Sequence, residues 1–167
     1  PSMKARTTRP AWVGPEYRIR ISFEAPLDFV FAWCTDYTPE DAGLEKERYE
    51  RKIIERTPRR VIFEDLEESK SGWDWQRAVV SLRPPNRWHM DGVGNNRDVV
   101  ADYVLSSLPE GRTRLDLRWK RGPKVPDVKR RTKAEREASA TRAWKMFAAA
   151  LERDYKRTRH GRHKHTK

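Results

Sequence analysis

The residues best suited to chemistry in this sequence are large apolar and aromatic side chains spread over its middle and its C-terminal third. With seven Trp, five Tyr and five Phe, the chain has enough aromatic surface to enclose a small apolar molecule, which a few polar groups would orient. The alternative, which the residues alone leave open, is that these side chains fill a core and leave no space. The candidates are Trp73, Trp75, Arg77, Trp88, Met90, Tyr103, Leu105, Leu115, Leu117, Trp119, Trp144 and Phe147.

A second set of candidates is basic and lies at the C-terminal end of the chain. Residues 118–167 hold 18 of the 37 Lys and Arg residues but 5 of the 25 Asp and Glu residues, a net charge of +13 against −1 for the remainder. Such a face suits an anionic partner, and phosphate contacts would favour DNA or RNA without sequence preference. A solvated helix face is the alternative. The candidates are Arg121, Lys124, Lys129, Arg130, Arg131, Lys133, Arg136, Lys145, Arg153, Lys156, Arg157, Arg159, Arg162 and Lys164.

Sequence signatures of catalysis and of metal binding are missing. No Ser/His/Asp grouping, Gly-rich phosphate loop or tight pair of carboxylates is visible. The single cysteine, Cys34, lies on the apolar stripe of a predicted helix, which favours an inert thiol and excludes an intramolecular disulfide. His160, His163 and His165 have spacings that a metal could use, but no apolar residue anchors their segment. We therefore predict no catalytic residue, no metal site and no cofactor, and favour a binding protein over an enzyme.

The spacing of apolar residues predicts one strand, two short helices, six further strands and a long C-terminal helix. The first strand covers residues 17–24, where apolar and polar side chains alternate. Short helices are predicted over residues 27–33 and from residue 38 onward. Six runs rich in Val, Ile and aromatic residues, separated by short turns, predict an antiparallel meander. These runs cover residues 47–56, 60–68, 72–82, 87–94, 97–107 and 112–121.

The C-terminal helix is predicted to open at Thr132, because Glu135 three residues later completes a capping box. A curved antiparallel sheet must cover its apolar face, and only this helix carries a stripe long enough to do so. No run approaches the roughly 18 apolar residues of a membrane span, and no signal-peptide pattern is visible, which predicts a cytoplasmic protein. The stripe consists of Ala134, Ala138, Thr141, Trp144, Phe147, Ala148, Leu151 and Tyr155.

This order of elements, together with three local segments, resembles the START/SRPBCC (helix-grip) superfamily of polyketide cyclases and lipid-transfer proteins. The segments are residues 25–37 (APLDFVFAWCTDY), 81–88 (SLRPPNRW) and 103–120 (YVLSSLPEGRTRLDLRWK). The resemblance covers roughly residues 17–155 and rests on structural turns, so it is specific for the fold and uninformative about function. It implies an α+β fold in which a curved seven-stranded antiparallel sheet wraps a long C-terminal helix, with an apolar cavity between them.

From these observations we expect three regions: a flexible arm over residues 1–16, a helix-grip domain over 17–155 and a basic disordered tail over 156–167. The expected function is non-enzymatic binding of a small apolar ligand or lipid between the sheet and the C-terminal helix. The alternative is a nucleic-acid-binding module that contacts DNA or RNA backbones through the basic C-terminal segment. We expect a monomer with no membrane span.

Overall fold

The computed structural model describes residues 14–45, 48–70, 72–127 and 129–163. Its strands are β1 (Tyr17–Phe23), β2 (Tyr49–Thr57), β3 (Arg60–Ser69), β4 (Gly72–Arg83), β5 (Arg87–Gly94), β6 (Arg97–Leu108) and β7 (Arg112–Pro123). They form one seven-stranded antiparallel sheet in the order β1-β7-β6-β5-β4-β3-β2. The predicted meander and the predicted fold class are confirmed, and β1 and β2 are the two edges of the sheet.

The described residues also form three α-helices: α1 (Leu27–Cys34), α2 (Asp41–Glu45) and α3 (Lys133–His163). The first two connect β1 to β2, and α3 follows β7 and lies against β1, where it also contacts α1 and α2. A short 3-10 turn, Pro109–Gly111, joins β6 to β7. Glu110 and Gly111 both have positive φ there, 66° and 68°, a conformation that only glycine adopts without cost.

Alternation along the strands divides the sheet into two faces. In β1 the side chains of Tyr17, Ile19, Ile21 and Phe23 are buried, and the three residues between them are exposed. The register places Ile19 opposite Leu117 of β7, so the apolar residues of neighbouring strands share one face. We call this helix-covered face the inner face and the opposite one the outer face.

The core is built where the inner face meets α3. Phe23, Leu105, Leu115 and Leu151 come from β1, β6, β7 and α3, and each is at most 1% exposed. Burial of such a side chain is worth roughly 1.5–3 kcal/mol. The predicted stripe of α3 is confirmed over its C-terminal half, where Ala148 and Leu151 are buried and Trp144 and Tyr155 pack against the core.

The first turns of α3 do not follow the stripe prediction. Ala134 and Ala138 are exposed, because this part of the helix meets the sheet through polar contacts. The Arg18 backbone N–H donates to Glu137 Oε2 at 2.6 Å, and further along α3 the Glu24 N–H donates to Glu152 Oε1 at 3.0 Å. Edge strands expose donors that could pair with another chain. Carboxylates of α3 therefore satisfy donors near both ends of β1.

The capping box at the start of α3 is present. Thr132 Oγ1 accepts from the Glu135 N–H at 3.1 Å, and Glu135 Oε2 accepts from the Thr132 N–H at 3.4 Å. At its other end the helix continues to His163, through most of the segment 156–167 that was predicted as a disordered tail. Lys and Arg lose little rotamer freedom in a helix, and their charges interact favourably with its C-terminal end.

Some predicted boundaries shift or cannot be compared. The second helix starts at Asp41 rather than at residue 38, and β4, β6 and β7 each run one or two residues further than predicted. Residues 1–13 of the predicted arm and 164–167 of the predicted tail lie outside the described residues. Across the residues that are described, no helix has both the length and the hydropathy needed to cross a bilayer.

Candidate ligand-binding cavity

A cavity of about 300 Å³ lies between the inner face of the sheet and the helices. This volume is at the lower end of the range found for small-molecule sites. Its polar lining residues, which we call the polar wall, come mainly from α2, β2 and β3, and most of its aromatic ones, the aromatic wall, come from α1, α3 and β6. The lining residues are Trp33, Cys34, Tyr37, Asp41, Arg51, Phe63, Asp65, Gln76, Met90, Tyr103, Trp144 and Phe147.

The polar wall is organised by Arg51 of β2, whose side chain is 7% exposed. Its Nη1 donates to Asp41 Oδ2 at 2.6 Å, and its Nε and Nη2 donate to the two carboxylate oxygens of Asp65 at 2.8 and 2.9 Å. The forked guanidinium geometry fixes both carboxylates. Desolvation raises the pKa of Asp41, and the charge of Arg51 offsets only part of that effect. The wall therefore holds two carboxylates against one guanidinium.

The guanidinium is also held from its flat side by aromatic rings. Its Cζ lies 4.1 Å from the ring centroid of Phe63 and 5.1 Å from that of Tyr49. Strand alternation explains this, since Tyr49, Arg51 and Ile53 share the inner face, and Arg51 pairs with Asp65 while Ile53 pairs with Phe63. Such cation–π contacts contribute about 0.5–2 kcal/mol each. Arg51 is thus part of a rigid wall.

The aromatic wall is a continuous chain of ring contacts. Trp144 and Phe147, three residues apart on α3, have ring centroids 5.3 Å apart, and Trp144 lies 6.1 Å from Tyr103 of β6. Trp33 of α1 extends the wall, with its ring 6.4 Å from that of Phe147. Its indole Nε1 donates to Asp154 Oδ2 at 2.9 Å, which ties α1 to α3. Because each ring is held by a neighbour, the wall is formed before any ligand binds.

The floor of the cavity is formed by Gln76 of β4 and Met90 of β5. Gly92 lies opposite Ala78, and a Cβ at position 92 would come within 2.2 Å of Gln76 Nε2. The glycine therefore leaves the space that the Gln76 amide occupies. Within the described part of the chain this amide makes no hydrogen bond, so it can donate to or accept from a bound molecule.

Two titratable groups of the cavity wall remain protonated at neutral pH. Burial raises the pKa of the Cys34 thiol and raises the pKa of the Tyr37 hydroxyl well above its ordinary value. Trp88 Nε1 donates to the Tyr37 oxygen at 3.1 Å, and the Tyr37 ring stacks on Phe63 with centroids 5.1 Å apart. A buried neutral thiol is a poor nucleophile, so Cys34 contributes shape rather than reactivity.

Comparisons with known proteins agree with this architecture. No protein-family model and no curated protein matches the chain. Among solved structures, the Zhui aromatase/cyclase from a Streptomyces species is similar with a TM-score of 0.62 and 13% identity, over 86% of this chain and 94% of that chain. A START superfamily protein from Mycobacterium smegmatis gives 0.62 and 14%, over 87% and 99%. Ara h 8.0201 gives 0.61 and 8%, over 82% and 97%.

The chain has a START/SRPBCC-like fold. The resemblance predicted from the three sequence segments is therefore confirmed for the fold. Identities of 8–14% carry no residue roles from one protein to another. The function of this protein therefore has to be argued from its own cavity.

Four of the predicted ligand-binding residues line the cavity: Met90, Tyr103, Trp144 and Phe147. Trp88 lies behind them, stacked on Tyr103 with ring centroids 4.7 Å apart. The remaining inner-face candidates pack in the core or against it and are not among the described residues that line the cavity. They are Leu105, Leu115, Leu117 and Trp119.

Three predicted ligand-binding residues of β4 lie on the outer face, away from the cavity. Trp73, Trp75 and Arg77 alternate with Gln76 and Ala78, and the even-numbered set is the one that points inward. Trp73 is 56% exposed, and the Arg77 guanidinium donates to Glu64 of β3. Their inclusion in the predicted pocket was wrong because strand alternation allowed either face of β4 to be the inner one.

Sequence reasoning missed the polar wall. Asp41, Arg51 and Asp65 are separated in sequence, and a charged residue in a strand is normally expected to face solvent. The one available signal was the alternation of Tyr49, Arg51 and Ile53 along β2, which places an Arg on the apolar side of a strand. A long-range ion pair between β2 and α2 leaves no local pattern in the sequence.

The predicted anion-binding residues are partly engaged with carboxylates. Arg121 and Arg136 both pair with Asp127, at 3.4 and 2.7 Å, and this lowers the pKa of the Asp127 carboxyl. Lys124 pairs with Asp98 at 2.8 Å. Among the described residues the exposed members are Lys124, Lys129, Arg130, Arg131, Lys133, Lys145, Arg153, Lys156, Arg157 and Arg159.

A basic groove of about 400 Å³ lies where β6, β7 and the start of α3 meet. Asp127 pairs with two of the cationic residues there, and Arg97 pairs with Asp74. The described residues that line the groove are Arg97, Arg121, Asp127, Lys129, Arg131 and Arg136. The side chains of Arg121 and Arg136 are 15% and 16% exposed, so they are held in place. Of the other predicted members, Arg162 and Lys164 have side chains outside the described part of the chain.

Proposed function

We propose that this protein binds one small aromatic or other apolar ligand in the cavity between the sheet and the helices. The observation that carries the proposal is a preformed cavity with an aromatic wall and, on its floor, a Gln76 amide without a partner among the described residues. Apolar enclosure supplies affinity, and a polar group of this kind fixes orientation. The Cys34 thiol and the Tyr37 hydroxyl are held neutral, which favours binding over nucleophilic catalysis.

The volume of the cavity argues for a compact ligand. About 300 Å³ suits a molecule of one or two rings, whereas a long acyl chain needs a larger or more open site. Of the two predicted ligand classes, a small apolar molecule and a lipid, this volume favours the small apolar molecule.

Calorimetric titration of the full-length protein with naphthalene that carries a hydroxymethyl group tests the proposal. We expect saturable binding with a stoichiometry near one and a rise in Tm, because a ligand that binds only the native state stabilises it by about 2.7 kcal/mol at one hundred times its Kd. Met90→Trp should abolish binding by filling the cavity.

Met146→Trp is the matched control, because Met146 lies on the exposed side of α3 and is 39% exposed. It should bind the probe as the wild type does. Equal binding by Met90→Trp and wild type, or no saturable binding to the wild type, would show that the cavity is not a ligand site.

We propose as a second candidate function that the C-terminal basic segment binds nucleic acid through backbone phosphates. The observation that favours it is the basic groove, in which Lys129 and Arg131 have no described carboxylate partner and lie beside the exposed residues Arg130 and Lys133. Each cation that neutralises a phosphate releases a counterion, so log affinity for duplex DNA should fall with log salt by about 0.9 per contact.

A gel-shift series at increasing salt, with duplex DNA and with single-stranded RNA, tests this second proposal. Reversal of Arg130, Arg131 and Lys133 to Glu should weaken binding and flatten the salt dependence. The control is the same charge reversal at three exposed residues of strand turns outside the basic segment, Arg59, Arg83 and Arg87. It should weaken binding less. Equal loss in both triple variants would point to non-specific net charge and contradict a site in the basic segment.

A further inference from the structure

The polar wall of the cavity carries an excess of negative charge. Of the described residues that line the cavity, Asp41 and Asp65 are acidic and Arg51 alone is basic. Asp65 and Arg51 form a bidentate pair, with oxygen–nitrogen distances of 2.8 and 2.9 Å, so they neutralise one another. Asp41 receives a single bond from the same guanidinium, at 2.6 Å. One carboxylate charge of the cavity is thus left without a matching cation.

Four of the five N–H donors of Arg51 are already engaged, which leaves this side chain little capacity for an anionic ligand. Its Nε, Nη1 and Nη2 all donate to carboxylate oxygens, and Nη2 also lies 3.4 Å from the Tyr49 hydroxyl. One face of the guanidinium is covered by Phe63, 4.1 Å away. A carboxylate or phosphate in this cavity would therefore face net negative charge and at most one unengaged N–H of Arg51, an arrangement that costs binding free energy at low dielectric constant.

The aromatic wall also favours a positively charged ligand. Trp33, Trp144 and Phe147 present π systems to the same cavity as the two carboxylates. The negative face of an aromatic ring attracts a cation, and Trp does so most strongly. Both walls therefore favour a positive charge on whatever lies between them.

We propose that the ligand is a compact aromatic molecule with one cationic nitrogen, a protonated amine whose charge lies beside Asp41. This inference rests on the proposed function, since it names the chemical class of the ligand for the same cavity. The ring system occupies the aromatic side, the ammonium group donates to the Asp41 carboxylate, and the Gln76 amide accepts or donates a further hydrogen bond.

The test is a matched series of three naphthalenes with an aminomethyl, a hydroxymethyl or a carboxylate group at the same ring position. Each is titrated calorimetrically into the full-length protein at neutral pH, where the amine is cationic and the acid anionic. We expect the amine to bind at least about ten-fold more tightly than the alcohol, and the carboxylate at least about ten-fold more weakly.

Two variants locate the effect. Asp41→Asn keeps the size of the side chain and removes the excess charge, so the ratio of amine to alcohol affinity should fall toward one. Asp116→Asn makes the same change on the outer face, where Asp116 pairs with Arg20 and Arg114, and should leave the ratio as in the wild type. The three wild-type titrations decide the question even if the Asp41 variant folds poorly.

The outcomes separate this inference from the function on which it rests. Equal binding of amine and alcohol, or tightest binding of the carboxylate, would overturn the inference and leave the cavity as a ligand site. A preference for the amine that Asp116→Asn removes and Asp41→Asn does not would also overturn it. Failure of all three probes to bind would contradict the proposed function itself.

Discussion

The two halves of the inner face are built from strands with the same alternation, but one forms most of the packed core and the other borders the cavity. On the β1, β7 and β6 side, residues such as Phe23, Leu105 and Leu115 are fully buried in the hydrophobic core, and Tyr103 of β6 is the one described residue there that borders the cavity. On the side of β2, β3, β4 and β5, Arg51, Asp65 and Met90 point inward and border the cavity, beside core residues such as Val80. The first half stabilises the fold, and the second half forms a site whose polar groups cost stability and give selectivity.

The position of α3 explains the difference. The helix lies against β1 at one edge of the sheet, so it cannot also fill the space above β2 at the other edge. That space is bridged by the short helices α1 and α2, which supply Trp33 and Asp41. A single helix over a wide curved sheet thus leaves a cavity on one side by geometry.

The largest expected effect compares one residue from each half. Leu115→Ala, in the packed half, should lower the free energy of unfolding by about 3–4 kcal/mol, through lost burial and a new cavity. Met90→Ala should lower it by less than about 2 kcal/mol, because Met90 already borders open space. Urea unfolding of both variants measures the difference. Equal losses would contradict the division into a packed and an open half.

The next prediction compares two Arg residues on opposite faces. Arg51→Met should destabilise the protein by about 2–3 kcal/mol, because it leaves two largely buried carboxylates without their partner. Arg77→Met, which breaks an exposed outer-face pair with Glu64, should change stability by less than about 1 kcal/mol. Thermal and urea unfolding decide this. If Arg51→Met left the free energy of unfolding unchanged, the polar wall would be as solvated as the outer surface.

Two glycines of β5 sharpen the comparison further. A Cβ at Gly94 would meet backbone oxygens of Trp75 and Arg97 at 2.6 and 2.8 Å, so Gly94→Ala should cost roughly 2 kcal/mol. At Gly92 the obstacle is the flexible end of Gln76. Gly92→Ala should therefore cost less stability while it weakens binding of the hydroxymethyl naphthalene. The opposite ranking in unfolding experiments would contradict the placement of Gln76 on the cavity floor.

The smallest expected effect concerns Asp36, beside the cavity. Desolvation, and then the negative charge of Asp41, raise the pKa of Asp36 to about 6. Because this pKa is raised in the folded protein, the neutral form of Asp36 contributes stability. That contribution is complete when the pH is below the ordinary pKa of an Asp carboxyl, and it is lost as the pH rises through about 6. Asp36→Asn should thus gain stability relative to wild type between about pH 4 and pH 7.

The expected gain for Asp36→Asn is below about 1 kcal/mol, since Asp36 is only partly desolvated and solvent screens its charge. Unfolding free energies of variant and wild type over that pH interval measure it. A difference that is constant with pH would show that Asp36 titrates at its ordinary value and is not influenced by Asp41.

Residue patterns predicted the fold well because its determinants are local. The alternation in β1, the turn residues between strands and the Thr132–Glu135 capping box each act over a few residues, and all are present. The end of α3 was placed too early because apolar spacing stops at Tyr155, whereas a helix rich in Lys and Arg continues without it.

The site was predicted only in part because its determinants are not local. Met90, Tyr103, Trp144 and Phe147 are large apolar residues that any curved sheet and helix would bring together. The Arg51–Asp41–Asp65 cluster depends on strand register and on where α2 docks, and no spacing in the sequence encodes either. The inner face of β4 is the one that carries the fully buried Ala78 and Val80, although the residues Trp73 and Trp75 on the outer face are larger.

The central claim is that a small aromatic molecule occupies the cavity, and two methionines test it most directly. With methyl-labelled methionine and saturating hydroxymethyl naphthalene, the Met90 methyl should shift by ring-current effects and show nuclear Overhauser contacts to the naphthalene protons. The Met146 methyl, on the exposed side of α3, should show neither. Contacts to Met146 but not to Met90, or a Met90 signal unchanged at saturation, would contradict the account.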